Sequence, residues 1–195
     1  DKPKNLMISK DNKSLAQWAM DFALKNGAQA AKLVLYNNSS SSFELRNAKM
    51  DRLQQSTENG LGINLYVDGR YGSFSTNRLD KKELEKLILG GIESTRYLAP
   101  DEARALPDPS RYYKGGLPDL QLFDKTLYDI HPDTKVDLAR AAAEEAMGKD
   151  ERIISVDSSY SDGESSSYRL ISNGFEGESS STWFSLSASV SVKGE

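Results

Sequence analysis

The chain carries one histidine, His131, directly before Pro132, and no cysteine. Those two facts decide most of the chemistry open to it. A structural zinc site takes a full tetrahedral set of Cys or His ligands, and a catalytic one about three protein ligands. One histidine supplies neither without a carboxylate-dominated site, and no carboxylates here have that spacing. Serines are abundant, so a Ser–His–Asp arrangement through His131 stays open on composition, but no Gly-x-Ser-x-Gly elbow occurs. Gly60-Leu-Gly62 lacks the further glycine and the following helix of a dinucleotide loop. Glu144-Glu145 reads as a solvated helix face, and His131 as a surface residue at a loop end. No residue is therefore predicted to be catalytic, to bind a metal or to bind a cofactor.

Composition narrows the partners. The 195 residues are 28% charged and 37% hydrophobic, with a formal net charge of −4 and a pI of about 5.2. Lysines and arginines are scattered rather than clustered, which argues against direct nucleic-acid binding, since that rests on neutralising phosphates. No apolar run approaches the ~20 residues of a membrane span. Without cysteine there are no disulfides, which leaves the compartment open. The expectation is cytoplasmic, with export after signal-peptide removal as the alternative because residue 1 is Asp.

The elements that would position any site follow from periodicity. The clearest is a hairpin in Asn59-Gly-Leu-Gly-Ile-Asn-Leu-Tyr-Val-Asp-Gly-Arg-Tyr-Gly-Ser-Phe-Ser-Thr-Asn77. Ile63, Leu65 and Val67 alternate with polar or aromatic neighbours, and Asp68-Gly69 suits a type I′ turn. That turn would set Val67 opposite Arg70, Tyr66 opposite Tyr71, Leu65 opposite Gly72 and Ile63 opposite Phe74.

Upstream, Ser14 and Gln17 have the capping-box spacing. Leu15, Trp18, Ala19, Phe22 and Ala23 form the stripe of a first helix, stopped at Gly27. A strand is predicted at 32–36 and a polar turn at 37–42. A second hairpin is predicted at 42–57, with Asn47-Ala48 at its turn, although alanine is a poor residue for positive φ. A second helix, capped by Asn77 or Asp80, buries Leu84, Leu87, Ile88 and Ile92 and ends by Pro100. A proline-rich stretch follows, anchored by Tyr112, Tyr113, Leu120, Leu122 and Phe123. A third helix, capped by Asp133 or Thr134, carries Val136, Leu138, Ala139, Ala142, Ala143 and Ala146, and its alanine face implies close approach to a neighbour. Three strands at 153–160, 168–173 and 183–192 are separated by Gly163 and by Gly174 to Gly177. The last alternates Phe184, Leu186, Ala188, Val190 and Val192 with serines and has no closing element, so the fold is expected to continue.

The predicted organisation is a flexible segment at 1–13, an α+β domain at 14–99, an ordered connection at 100–132, and a helix with strands opening a β-rich region at 133–195. The fold class is α+β, with mixed or antiparallel sheet and three main helices. The first two helices pack on residues 32–76, and a second sheet layer begins at 153, although periodicity does not decide between one sheet and two.

The order of several short motifs resembles a known family. Lys25-Asn-Gly-Ala28, Phe43-Glu-Leu-Arg-Asn47, Asn59-Gly-Leu-Gly-Ile63, the stretch from Asp68 to Asn77, Arg96-Tyr-Leu-Ala-Pro-Asp101, Pro118-Asp-Leu-Gln-Leu-Phe-Asp124 and Ser172-Asn-Gly-Phe-Glu-Gly177 are similar to the N-terminal part of the TldD/PmbA proteins, also called modulators of DNA gyrase. The match runs from about residue 14 to residue 192. The resemblance implies a heterodimeric peptidase. A TldD-like subunit carries zinc on an HExxxH helix, a PmbA-like (TldE) subunit lacks that helix, and the two enclose a chamber that admits unfolded peptides. Arg96-Tyr-Leu-Ala-Pro-Asp101 and Leu120-Gln-Leu-Phe123 favour the PmbA branch. The zinc helix would lie beyond residue 195, so no cofactor is expected in this chain. The expected partners are a TldD-like metal-bearing subunit or a second copy, with unfolded peptide as substrate. Two readings stand beside it: a non-catalytic peptide-binding or assembly module with no protease partner, using the serine-rich strands, and a serine hydrolase using His131.

Overall fold

The computed structural model describes residues 7–116 and 118–194. Helix α1 (Lys10–Lys25) precedes strands β1 (Ala30–Arg46), β2 (Lys49–Val67) and β3 (Arg70–Thr76), then helix α2 (Lys81–Thr95). Short 3-10 turns at Pro109–Arg111 and Lys125–Asp129 lead to helix α3 (Pro132–Ala146) and strands β4 (Ile153–Ile171) and β5 (Phe175–Val192). The five strands form one sheet in the order β3-β2-β1-β4-β5, with every neighbouring pair antiparallel. The α+β reading with three helices therefore holds. The second layer expected from 153 does not form: β4 pairs with β1 along its length and extends the same sheet.

The hairpin between β2 and β3 has the predicted register, with Val67 opposite Arg70, Tyr66 opposite Tyr71 and Ile63 opposite Phe74. Asp68 and Gly69 both take positive φ, as a type I′ turn requires, and the Tyr66 and Tyr71 rings meet edge to face at 5.3 Å. Asn47 and Ala48 turn the β1–β2 hairpin in the same way, at φ 48° and 61°. The left-handed conformation costs a non-glycine residue about 1–2 kcal/mol. Here Asn47 is held from outside: its N–H donates to the Val156 carbonyl at 2.8 Å, and its side-chain oxygen accepts from the Val156 N–H at 2.9 Å.

Three local expectations are corrected. The first helix is capped by Ser9, whose hydroxyl accepts from the Asn12 N–H at 3.2 Å, so Ser14 lies inside α1. Of the segment 1–13, residues 1–6 lie outside the described residues, and residues 10–13 are helical. The polar stretch 37–42 is not a turn but the middle of β1, bonded to β2 on one side and β4 on the other. Gly163 likewise stays within β4, where a Cβ would meet the Ser39 carbonyl at 2.5 Å and the Trp183 ring at 2.9 Å. It is a point of close approach rather than a break.

Two helical layers cover the same face of this long sheet at opposite ends. At one end Leu33, Leu35, Leu61, Ile63, Leu65, Val67, Tyr168 and Leu170 pack against Ala16, Ala19, Met20 and Ala23 of α1 and Leu84, Ile88 and Ile92 of α2. Gly72 lets α2 descend onto β3, since a Cβ there would overlap the Thr95 hydroxyl at 2.1 Å. At the other end Phe43, Leu45 and Tyr160 meet Ala139 and Val136 of α3. The alanine face brings α3 close enough for the Ser158 hydroxyl to donate to the Ala139 carbonyl at 2.8 Å.

Candidate functional site

Between the two cores the sheet is uncovered by helix, and strand alternation decides what lines the gap. Positions 37, 39 and 41 of β1 share a face with Leu35 and Phe43, and positions 162 and 164 of β4 share it with Tyr160 and Tyr168. The result is a polar trough of about 680 Å³. Its floor carries Asn37, Ser39, Ser41, Thr57 and Asn59; Leu127, Tyr128 and Ile130 roof it; Lys135, Asp162 and Glu164 line one side. The volume falls in the range of small-molecule sites.

The roof is tied to the sheet. The Thr182 N–H donates to the Leu122 carbonyl at 2.9 Å, and the Asp124 N–H donates to the Thr182 hydroxyl at 3.0 Å. Asp124 then caps the turn that presents Tyr128. Of the anchors expected in this connection, Tyr112 bonds Asn173 at 2.7 Å and packs on Phe175, and Phe123 packs on Tyr128. Tyr113, Leu120 and Leu122 are exposed.

Three buried charges define the electrostatics. The Lys135 ammonium pairs with the Asp162 carboxylate, their side chains 12% and 5% exposed. Asp162 also accepts from the Ser41 hydroxyl at 2.6 Å, so this charge is matched. Glu164, 6% exposed, accepts a hydrogen bond from the Tyr128 hydroxyl. No Lys, Arg or His nitrogen forms an ion pair with it among the described residues. Burial alone pushes its carboxyl up from the ordinary 4.5, because desolvation disfavours the charged form.

This arrangement offers hydrogen bonding and one carboxylate with no cationic partner among the described residues. His131 does not join it: the ring is exposed and caps α3 by accepting from the Asp133 N–H at 3.3 Å. The cap is thus His131, with Pro132 in the first turn, rather than Asp133 or Thr134. Among the described residues no group of three or more His, Cys, Asp or Glu side chains could hold a metal ion. With one exposed histidine and no cysteine, the donor set does not fit zinc. No helix of the described residues is long and apolar enough to cross a membrane.

Sequence reasoning missed the trough, though two signals pointed to it. Asp162 and Glu164 alternate within a run of serines between Tyr160 and Tyr168, and Lys135 lies one helical turn before Ala139 on the buried stripe of α3.

Comparisons with known proteins agree with this architecture. The profile for the PmbA/TldA metallopeptidase domain 1 matches residues 31–94, and that for the PmbA/TldA metallopeptidase central domain matches residues 125–195. The chain is 28% identical over 137 residues to the metalloprotease PmbA homolog of Haemophilus influenzae, covering 70% of this chain and 30% of that protein. It is 25% identical over 126 residues to the metalloprotease PmbA of Escherichia coli O157:H7, covering 65% and 27%. The chain thus spans about a third or less of the curated relatives it matches. A crystal structure of a protein described as a modulator of DNA gyrase, from Bacteroides thetaiotaomicron, superposes with a TM-score of 0.90 at 67% identity, over 97% of this chain and 43% of that one. TldE from Thermococcus kodakarensis shares the fold at a TM-score of 0.72 and 15% identity, over 92% and 40%. The profiles cover most of the chain in the order domain 1 then central domain, and the chain therefore belongs to the PmbA/TldD metallopeptidase family as a part of the longer protein.

Proposed function

We propose that this chain is the N-terminal scaffold and assembly portion of a PmbA/TldE-like subunit in a TldD/TldE-type zinc-dependent peptidase acting on unfolded peptides, with no active site of its own. The observation that carries this reading is the last strand. Phe184, Leu186, Val190 and Val192 project from one face of β5, between 45% and 73% exposed, and among the described residues the strand's outer edge has no neighbour in the sheet. A row of large apolar side chains along an open edge is a surface suited to being covered.

The same edges suit extended peptide, which a strand holds through backbone hydrogen bonds with little sequence preference. In this reading the zinc and its ligands come from a TldD-like subunit, and the complex works in the cytoplasm without contacting DNA. Both curated relatives carry the PmbA name, which supports the PmbA branch over the TldD branch. Metal analysis of the full-length protein, purified alone and with a TldD-like subunit, tests the assignment. Zinc is expected only in the complex. Stoichiometric zinc in the lone full-length protein would place this chain in the metal-bearing subunit instead.

A further inference from the structure

We propose that the trough between the two cores is a binding site for a primary-ammonium ligand carrying neutral hydrogen-bonding groups, with the Glu164 carboxylate as its anchor. Lys135 and Asp162 neutralise each other at one side of the trough, and Ser41 satisfies Asp162 further. Glu164, one alternation along the same strand, is also buried, and it accepts from the neutral Tyr128 hydroxyl with no ion pair to a Lys, Arg or His among the described residues. A buried carboxylate normally pairs with a cation. Glu164 lines an open cavity rather than a closed core, so a ligand's cation can reach it. Burial raises the proton affinity of Glu164, a desolvation that a bound cation would offset.

The rest of the lining describes the rest of the ligand. Ser39, Gln55, Thr57 and Asn59 present amides and hydroxyls, which both donate and accept, so they match neutral polar groups rather than a second charge or a hydrocarbon chain. The roof side chain Tyr128 is itself held by the Glu164 bond, so binding at the carboxylate also fixes the roof. An amino terminus of a short polar peptide and an amino sugar share this chemistry. The site is independent of the peptidase assignment, since it needs no cleavage.

The test is calorimetric titration of the full-length protein with three probes: seryl-serinamide, its N-acetylated form, and glucosamine. At least one of the two amines is expected to bind, N-acetylation is expected to abolish peptide binding, and Glu164→Gln is expected to weaken the amine about tenfold to a hundredfold. Binding of the peptide alone or of the sugar alone identifies the source of the ammonium. Ser39 sits directly opposite Glu164 in the β1–β4 register, so Ser39→Lys supplies a tethered ammonium. That variant is expected to lose ligand binding while raising the melting temperature, which keeps the test sound if Glu164→Gln folds poorly. Absence of binding by both amines, or binding unchanged by acetylation, by Glu164→Gln or by Ser39→Lys, would overturn the proposal.

Discussion

The two ends of the sheet are built from the same strands and differ in how far they are finished. At the α1/α2 end the inward side chains of β1 and β2, from Leu33 to Leu65, are 0–1% exposed, and two helices seal them. At the α3 end one helix covers a small cluster around Phe43 and Tyr160, while the inward face of β5 stays open from Phe184 to Val192. One end is complete in itself, and the other presents surface for further chain, a partner or a ligand. The proposed scaffold role would use both, the sealed end as a rigid base and the open end as the surface for assembly.

Substitutions can break this contrast in order of expected size. Lys135→Met removes the cation from a buried pair and strands Asp162, which should cost about 3–5 kcal/mol; urea unfolding measures it. Leu65→Ala opens a cavity in the sealed core and is expected to cost about 2–5 kcal/mol, seen as a fall in melting temperature. Leu186→Ser, on the open row, should change the stability of residues 1–195 by no more than about 0.5 kcal/mol. In the longer protein the same change is expected to cost about 1.5–3 kcal/mol once that row is covered. Equal effects in the two backgrounds would mean that β5 stays open.

Two further effects are pH-linked. Burial raises Glu164 above its ordinary 4.5 in the folded protein. The native state then holds a proton that the unfolded state has lost, so this stabilisation is complete below about 4.5 and disappears as pH rises through the raised value. Glu164→Gln is expected to flatten that slope in a pH series of melting temperatures. Tyr168 is pushed up to about 12 by burial and by its bond to Glu176. Its contribution should be lost between about pH 10 and 12, and Tyr168→Phe should remove that alkaline step.

The sealed end was legible because its signals are local. Asp68-Gly69 fixes a turn and therefore a register, and Leu84, Ile88 and Ile92 recur at helical spacing. The open end was legible only in part: β5 alternates apolar residues with serines from Phe184 to Val192, but the middles of β1 and β4 carry serines and asparagines where apolar residues would mark a strand. Residues 37–42 read as a turn from their serines and asparagines, yet they are strand since β2 and β4 pair with them on both sides. That pairing partner lies more than a hundred residues away in β4, and no local pattern announces it. The absent second layer has the same cause: alternation shows strand at 153–160 and 168–173, but not that the two are one strand or which strand it joins. Ser9 was passed over as a cap because Ser14 and Gln17 have the better spacing, while the helix starts where Ser9 can reach the Asn12 N–H.

Peptide cleavage tests the central claim most directly. Full-length protein is incubated with an unfolded polypeptide, alone and with a TldD-like subunit, with and without a chelator. The scaffold account expects cleavage only with the partner present, abolished by the chelator. Cleavage by the lone protein that the chelator leaves intact would contradict it.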